Sequence, residues 1–382
     1  MIQNKIVIGL IAEFNPFHTG HKYLIEQIKI KFPQSYIVCV MSGDFVQRGE
    51  NAIVDKYLRT DTAIKNGIDL VIELPVEFAT SSAKDFSMSA INILDSLSFI
   101  DYVCFGSECG NINILEEIAK YLSSENFNNN INIRNDLKTG STYAKAISKN
   151  INVNIESNDI LGIEYLLSLK KINSKIKPII IKRNKSLMSA YDIRQNANRI
   201  LNDQYKIQEL DIYQKLIKYP ISFINDFSEY LNYKLIMVAS ENTNYTKYYD
   251  IKEPLSNAIK NSVYDNLLFS DRIKKLKTKN YTYSYISRCL LHIMLDIKKE
   301  DVEKLKNENY FAYIRLLGIK KGSEIILKYI VPYKVTSLSP KYTACITNST
   351  SVETNIFASN LYNMVVGNNQ NELSRKFIVD MI

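Results

Sequence analysis

Two of the chain's three histidines stand three residues apart, in His18-Thr19-Gly20-His21. Imidazole N–H groups held in that pattern can stabilise charge developing on phosphate oxygens during group transfer. The flanking sequence supplies the elements to hold them. Ile6 to Ala12 is an unbroken apolar run of strand length, suited to a parallel strand covered on both faces. Pro16 and Gly20 punctuate a loop, and Leu24, Ile25 and Ile28 predict a helix from about His21 to Ile30. The two imidazoles then sit beside a helix N-terminus, where free backbone N–H groups and the positive end of the dipole favour a phosphate. Gly20, without a Cβ, lets a ligand approach the backbone. Two loop histidines without chemistry are the plainer alternative. The position between a buried strand and a helix favours a phosphate site.

The rest of the first half repeats the strand and helix alternation. Strands are predicted at Tyr36–Met41, Leu70–Leu74, Tyr102–Phe105 and Pro178–Ile181. Helices are predicted near Asp55–Asn66, Ala83–Leu97 and from Ser189 onward, and another is capped by Ser157 or Asn158. Such alternation makes an α/β, doubly wound (Rossmann-like) parallel sheet. Ligands of such sheets bind outside the carboxyl ends of the strands. The polar loops Asn15–His21, Ser42–Glu50 and Gly106–Glu108 are therefore expected to converge on one site. Arg48, Lys56 and Arg59 are candidates to meet phosphates there, with solvated surface charges as the alternative.

A chain of 382 residues has room for two domains. Beyond about Leu201 strand signals become scarce, which divides it into a catalytic unit, 1–200, and a mostly helical, basic and tyrosine-rich unit, 201–382. Asn309–Ile330 has helix-and-turn character around Gly318 and Gly322. The net charge of +8 is compatible with a polyanionic partner. Lys277, Lys279, Tyr281 and Tyr283 combine cations with rings, as RNA binding requires, although a helix cap with half-buried tyrosines reads equally well. His292, among Leu290, Leu291 and Ile293, reads as structural. No stretch approaches the ~20 apolar residues of a membrane span. The N-terminal apolar run is short, ends at Glu13 and has no cleavage-like site after it, so it is a strand and not a signal peptide. Five cysteines without a C-x-x-C pair fit reduced thiols in a cytoplasmic protein and give no zinc site.

Phe14-Asn15-Pro16-Phe17-His18-Thr19-Gly20-His21 resembles the signature of the HxGH nucleotidyltransferase superfamily. With Glu13 included, it is similar to one branch, the bacterial tRNA(Met) cytidine acetate ligases. Many other branches carry Asp where this chain has Asn15. Met41–Glu50, Asp69–Pro75, Cys104–Glu108, Asn158–Tyr165 and Lys279–Tyr283 resemble that branch too, in the same order. The resemblance implies an ATP-dependent ligase that makes acetyl-adenylate and pyrophosphate from ATP and acetate. The acetyl group then passes to the exocyclic amine of the wobble cytidine in elongator tRNA(Met). It carries ATP contacts onto Ile11, Ala12, Glu13, Phe14, Asn15, Pro16, Phe17, His18, Thr19, Gly20, His21, Lys22, Tyr23 and Leu24, and onto Gly106, Asn158 and Arg183. His18 and His21 take the catalytic positions. Mg2+ is expected to accompany ATP, with no carboxylate assigned to it.

The chain departs from that branch at four places. Tyr191 replaces a threonine in Ser189-Ala190-Tyr191-Asp192-Ile193-Arg194, and the loop Asn184–Met188 is short. Leu24 replaces a histidine and Asn51 a proline. Two other functions fit parts of the pattern: adenylyl transfer to a small phosphorylated acceptor, and RNA binding without catalysis. The long basic second half argues against the first, and the retained histidine pair against the second.

Overall fold

Apolar runs with no polar alternation become the strands of a sheet covered on both faces. The computed structural model describes residues 2, 4–124, 155–200, 220–330, 335–336 and 350–379. In its first half, β1 (Val7–Ala12), α1 (Thr19–Lys31) and β2 (Tyr36–Ser42) are followed by a small hairpin, β3 (Phe45–Val46) and β4 (Glu50–Asn51). Then come α2 (Lys56–Lys65), β5 (Leu70–Leu74), α3 (Val76–Ala79), α4 (Ala83–Ser96), β6 (Tyr102–Ser107) and α5 (Ile112–Leu122). Beyond residues 125–154, α6 (Ser157–Lys171), β7 (Lys177–Lys182) and α7 (Ala190–Ile200) complete this half.

Strands β5, β2, β1, β6 and β7 lie side by side in that order, all parallel. Alternate residues of each strand serve opposite faces. Val7, Val38, Val40, Leu70 and Ile72 enter one core, with Ile91, Leu94, Leu115 and Ile163 of α4, α5 and α6. Ile8, Leu10, Ile37, Cys39 and Val71 enter the other, with Ile25, Ile28 and Ile64 of α1 and α2. Helices thus cover both faces, which is the doubly wound arrangement expected. The chain runs from β1 to β2 and β5 on one side, then returns to place β6 and β7 on the other. The strand order therefore reverses between β1 and β6, and a crevice opens there at the carboxyl edge.

The second half contains α8 (Ser228–Ser240), α9 (Glu253–Lys260), α10 (Phe269–Leu276), α11 (Tyr283–Met294) and α12 (Lys299–Asn307). These are followed by β8 (Ile314–Ile319), β9 (Val335–Thr336), α13 (Thr350–Val365) and β10 (Ile378–Val379). The helix-and-turn character expected for Asn309–Ile330 is overturned by β8. It is wholly buried and pairs antiparallel with β5, so the second half adds strands to the same sheet. Gly318 misdirects the sequence reading, because glycine usually breaks a strand. Here a Cβ would stand 2.7 Å from Thr60 Cγ2 and 2.8 Å from Ile64 Cδ1, and glycine lets α2 close on the strand. The change of character near residue 200 is therefore not a break in packing. Phe45, Val76 and Phe78 of the first half share a core with Phe227, Leu231 and Leu290 of the second. Asn51, where a proline was expected, ties the halves through Nδ2 to the Ser222 carbonyl at 2.9 Å.

His292 is structural, as expected. It is buried, with Nδ1 2.9 Å from the Tyr249 carbonyl and Nε2 2.9 Å from the Thr80 carbonyl. Thr336 and Ser351 bound a stretch whose residues 337–349 lie outside the described residues. No helix among the described residues is long and apolar enough to cross a membrane.

Candidate functional site: the HxGH loop at the strand-order reversal

The helix after β1 begins at Thr19, two residues earlier than the periodicity predicts, and His18 is its N-cap. The Gly20 N–H donates to His18 Nδ1 at 3.0 Å, and the His18 N–H donates to His21 Nδ1 at 3.2 Å. This is a capping box, with histidine at both positions usually held by Ser or Thr and Glu or Gln. The i, i+3 spacing of the motif is the spacing of the box, a signal present in the sequence. Each Nδ1 accepts a hydrogen bond, so each neutral ring carries its proton on Nε2. The rings lie 3.8 Å apart between centroids, inclined by 33°. Gly20 has a reason beyond ligand access. A Cβ there would lie 2.7 Å from His18 Cε1, so only glycine lets the cap ring fold back.

Both imidazoles are held neutral. Burial, then the cations Arg183 and Arg194, lower the His18 pKa to about 4. Burial, then His18 and Arg183, take His21 well below its usual value. The loop is rigidly made. Phe14 adopts φ +49°, a left-handed conformation rare for a bulky residue, and its ring packs edge-on against His21 at 4.9 Å. Phe17 lies 5.1 Å from Phe14, and the Asn15–Pro16 bond is cis. Asn15 Oδ1 accepts from the Ile53 N–H at 2.8 Å. Glu13 Oε1 accepts from the Gln47 N–H at 2.8 Å, which joins the loop to the β3–β4 hairpin. Ile11 and Ala12 close β1, half-buried, with Tyr23 and Leu24 half-buried on α1 and Lys22 exposed. Leu24 packs on the core beneath the loop, so the histidine expected at that position is replaced by a core contact.

Gly106, Asn158 and Arg183 are brought to the same edge by β6, the first turn of α6, and the end of β7. Glu108 organises Asn158 and Arg183. Its carboxylate accepts from Asn158 Nδ2, from the Asp159 N–H at 3.1 Å and from Arg183 Nη1 at 3.1 Å. Asp159 reciprocates, accepting from Ser107 Oγ at 2.6 Å and from the Glu108 N–H at 3.1 Å. Asn158 therefore does not cap its helix as expected. Glu156 takes the N-cap position, and the amide is diverted to Glu108. The Ser189–Arg194 stretch still delivers its arginine despite Tyr191. Ser189 Oγ and the Asp192 carboxylate form a capping pair that starts α7, Tyr191 is 53% exposed, and Arg194 Nη1 reaches the Asn15 carbonyl at 2.6 Å.

Lys56 and Arg59 are not phosphate contacts, and the expectation that they were is corrected. Arg59 is 1% exposed and spends its guanidinium on backbone carbonyls: Glu13 at 2.6 Å, Ser42 at 3.0 Å, Val54 at 3.1 Å, and Gly43. It pins the ends of β1 and β2 together beneath the loop. Lys56 is fully buried, with Nζ 2.7 Å from Glu73, 2.8 Å from Glu372 and 3.5 Å from Asp44. Both point inward because tertiary packing encloses the carbonyls and carboxylates they bind, which spacing alone does not reveal. Arg48 remains exposed.

Lys277 and Lys279 are exposed on the turn between α10 and α11. Tyr281 and Tyr283 are half-buried, Tyr281 stacked on Tyr285 with centroids 5.2 Å apart and planes 11° from parallel. Among the described residues no three His, Cys, Asp or Glu side chains gather as a metal site, and Glu13, Glu108 and Asp159 at the strand ends are engaged by protein donors. The described residues do not form a ligand set for magnesium.

A parallel sheet, a reversal of strand order and an HxGH capping box at that reversal define a nucleotidyl transferase, and residues 5–376 match the HIGH Nucleotidyl Transferase family. The chain is 37% identical to a tRNA(Met) cytidine acetate ligase of Thermoanaerobacter sp. (strain X514), over 95% of this chain and 96% of that one. It is 36% identical to one of Clostridium botulinum (strain Hall), over 95% of each. The crystal structure of Thermotoga maritima TmcAL bound with alpha-thio ATP superposes with a TM-score of 0.83 at 26% identity, covering 98% of this chain and 99% of that one. Within the HIGH nucleotidyl transferases, the chain belongs to the tRNA(Met) cytidine acetate ligase family.

Proposed function

We propose that the chain is an ATP-dependent acetate ligase that acetylates the wobble cytidine of elongator tRNA(Met). The observation that carries this is the histidine pair, locked as neutral Nε2–H donors at a helix N-terminus in the β1/β6 crevice. A carboxylate oxygen of acetate attacks the α-phosphorus of ATP, the bond to the β-phosphate oxygen breaks, and pyrophosphate leaves. The Nε2–H groups of His18 and His21 and the positive end of the α1 dipole meet charge on the phosphate oxygens of the pentacoordinate transition state. Neutral donors suit this role, because they grip a polyanion without releasing a proton to it. Arg183 and Asn158, presented by Glu108, and Gly106 form the other wall for the nucleotide. The cytidine amine then attacks the acetyl carbonyl, AMP departs, and the amine loses one proton. Magnesium is expected to accompany ATP. The 201–382 unit, through Lys277, Lys279, Tyr281 and Tyr283, is the tRNA-binding part of this reading.

Incubation with ATP, acetate and tRNA(Met) tests it, reading pyrophosphate release and N4-acetylcytidine. Acetylcytidine is expected only with all three present. Pyrophosphate release that depends on a small phosphorylated acceptor, with no tRNA acetylated, would overturn it, and binding without turnover would leave an inactive RNA-binding protein.

Two further results are expected. Charge-assisted hydrogen bonds are worth about 1.5–3 kcal/mol, and tenfold in affinity is about 1.4 kcal/mol. Glu108→Gln keeps the shape but offers one acceptor oxygen in place of two, so ATP affinity by calorimetry should fall roughly tenfold. Unchanged affinity would remove Glu108 from the wall. Lys277→Ala with Lys279→Ala should weaken tRNA binding and reduce its salt slope by up to about two. An unaltered slope places the RNA elsewhere.

A further inference from the structure

The tip of the β3–β4 hairpin, Gln47-Arg48-Gly49, is fixed at both ends. Gln47 donates its N–H to Glu13 Oε1 at 2.8 Å, at the start of the HxGH loop. The Gly49 carbonyl accepts from Ser287 Oγ of α11 at 2.6 Å. Gly49 has φ +81°, and a Cβ there would lie 2.6 Å from the Arg288 backbone nitrogen, so glycine alone permits this seat. A three-residue hairpin ending in a left-handed glycine is a favoured turn, which makes the tip a stiff bracket. The residue between the two anchors, Arg48, is exposed.

The bracket spans two features otherwise separate in the chain. Tyr283 precedes Ser287 by four residues on α11, so both lie on one face of that helix. Lys277 and Lys279 stand just ahead of it, exposed. On the other side, Glu50 lies 4.0 Å from Arg194, which holds the Asn15 carbonyl. Glu50 is thus paired with Arg194, and Asp271 near Tyr283 is paired with Lys274 at 2.9 Å, which leaves Arg48, Lys277 and Lys279 as exposed cations along this path.

We infer that the hairpin tip is an RNA contact linking the basic, tyrosine-rich turn to the HxGH loop. Arg48 takes a backbone phosphate of an unpaired RNA segment, and Tyr283 offers its ring to a neighbouring base. The chemistry favours an unpaired strand, since a base reaches an aromatic ring only when unstacked from its own neighbours. Arginine suits the position because its planar fork matches a phosphate. This inference rests on the tRNA substrate proposed above and deepens it by giving the path of the strand into the site.

The test is binding of a fluorescent anticodon stem-loop RNA to the full chain at several salt concentrations, for the wild type, Arg48→Ala and Arg48→Lys, with thermal melting to confirm folding. Arg48→Ala should bind severalfold more weakly, with a salt slope lower by about one, and Arg48→Lys should recover the slope. A blunt RNA duplex of equal length should bind more weakly than the stem-loop. An unchanged slope in Arg48→Ala, equal loss in Arg48→Lys, or equal binding of the duplex would overturn the inference. Acetate-dependent ATP–pyrophosphate exchange by the wild type separates the two proposals. Its absence with RNA binding intact refutes only the acetate ligase, and its presence with an unaltered Arg48→Ala slope refutes only the tip.

Discussion

His18→Ala should lower the rate of acetyl-adenylate formation by ~10²–10³, the usual loss when one donor to a developing oxyanion is removed. His21→Ala should fall in the same range. The interpretation needs a control, because both rings also build the capping box, and loss of an N-cap costs about 1 kcal/mol of stability. Asparagine is a favoured N-cap without an imidazole N–H in the same place. His18→Asn should therefore recover most of the melting temperature while the rate stays low. Recovery of both would make His18 a cap and nothing more. Acetate-dependent ATP–pyrophosphate exchange and thermal melting on the same preparations decide between them.

The pH profile gives an independent check. His18 has its pKa lowered to about 4 by burial, so its neutral form persists far below the ordinary histidine range. The exchange rate should be flat in this group from about pH 8 down to about pH 5. Were an imidazolium the working form, the rate would fall tenfold per pH unit above its pKa. Stability follows the same sign. A histidine whose pKa is lower folded than unfolded stabilises the fold fully above the unfolded value of 6.5, and that contribution is lost as pH falls toward 4.

The second large effect is expected away from the chemistry. Lys56→Met should destabilise the chain by about 3–5 kcal/mol, the usual consequence of removing one partner from a buried ion cluster. Lys56 faces Glu73, Glu372 and Asp44, and Arg315 Nη1 meets Glu73 at 2.8 Å while its Nη2 meets Glu372. Burial and Arg315 lower the Lys56 pKa, but Glu372, Glu73 and Asp44 outweigh them and raise it. Without the ammonium, three buried carboxylates are left with Arg315. Glu372 sits on the turn after α13, so the cluster ties the C-terminal segment to α2, β5 and β8. Urea unfolding should reveal the loss, and proteolysis should begin near residue 372. A change below about 1 kcal/mol would mean the cluster is near neutral in net effect. Acid should attack the same point. Burial raises the Glu372 pKa, but Lys56 and Arg315 bring it down to about 2, so its contribution is present above the unfolded carboxylate value and disappears as pH falls through about 2.

The strands of the first half were legible because a strand covered on both faces is apolar along most of its length, and β1, β2 and β5 are such runs, with Glu73 the one charged residue among them. β8 was disguised by Arg315 and Gly318, since the partner of that buried cation and the need for a bare backbone come from β5 and α2, which sequence spacing does not place. The proposed nucleotide wall was partly legible. Gly106, Asn158 and Arg183 came from resemblance, whereas Glu108, which holds two of them, became visible only when three elements met.

By itself, the sequence determined the local things: the strand, the loop, the histidine spacing that is also a capping box, and the alternation that forces a doubly wound sheet. These follow from periods of two and 3.6 residues and from turn chemistry, all short-range. Tertiary structure decided what each charge is for. Lys56, Arg59 and Arg48 are near neighbours in sequence and alike in type, yet one neutralises buried carboxylates, one binds carbonyls and one faces solvent. The partners that separate them, Glu372 and Glu73 for Lys56, Glu13 for Arg59 and Ser287 beside Arg48, come from distant parts of the chain. A cation's role is set by the charge and solvent around it, and that surrounding exists only once the chain has folded.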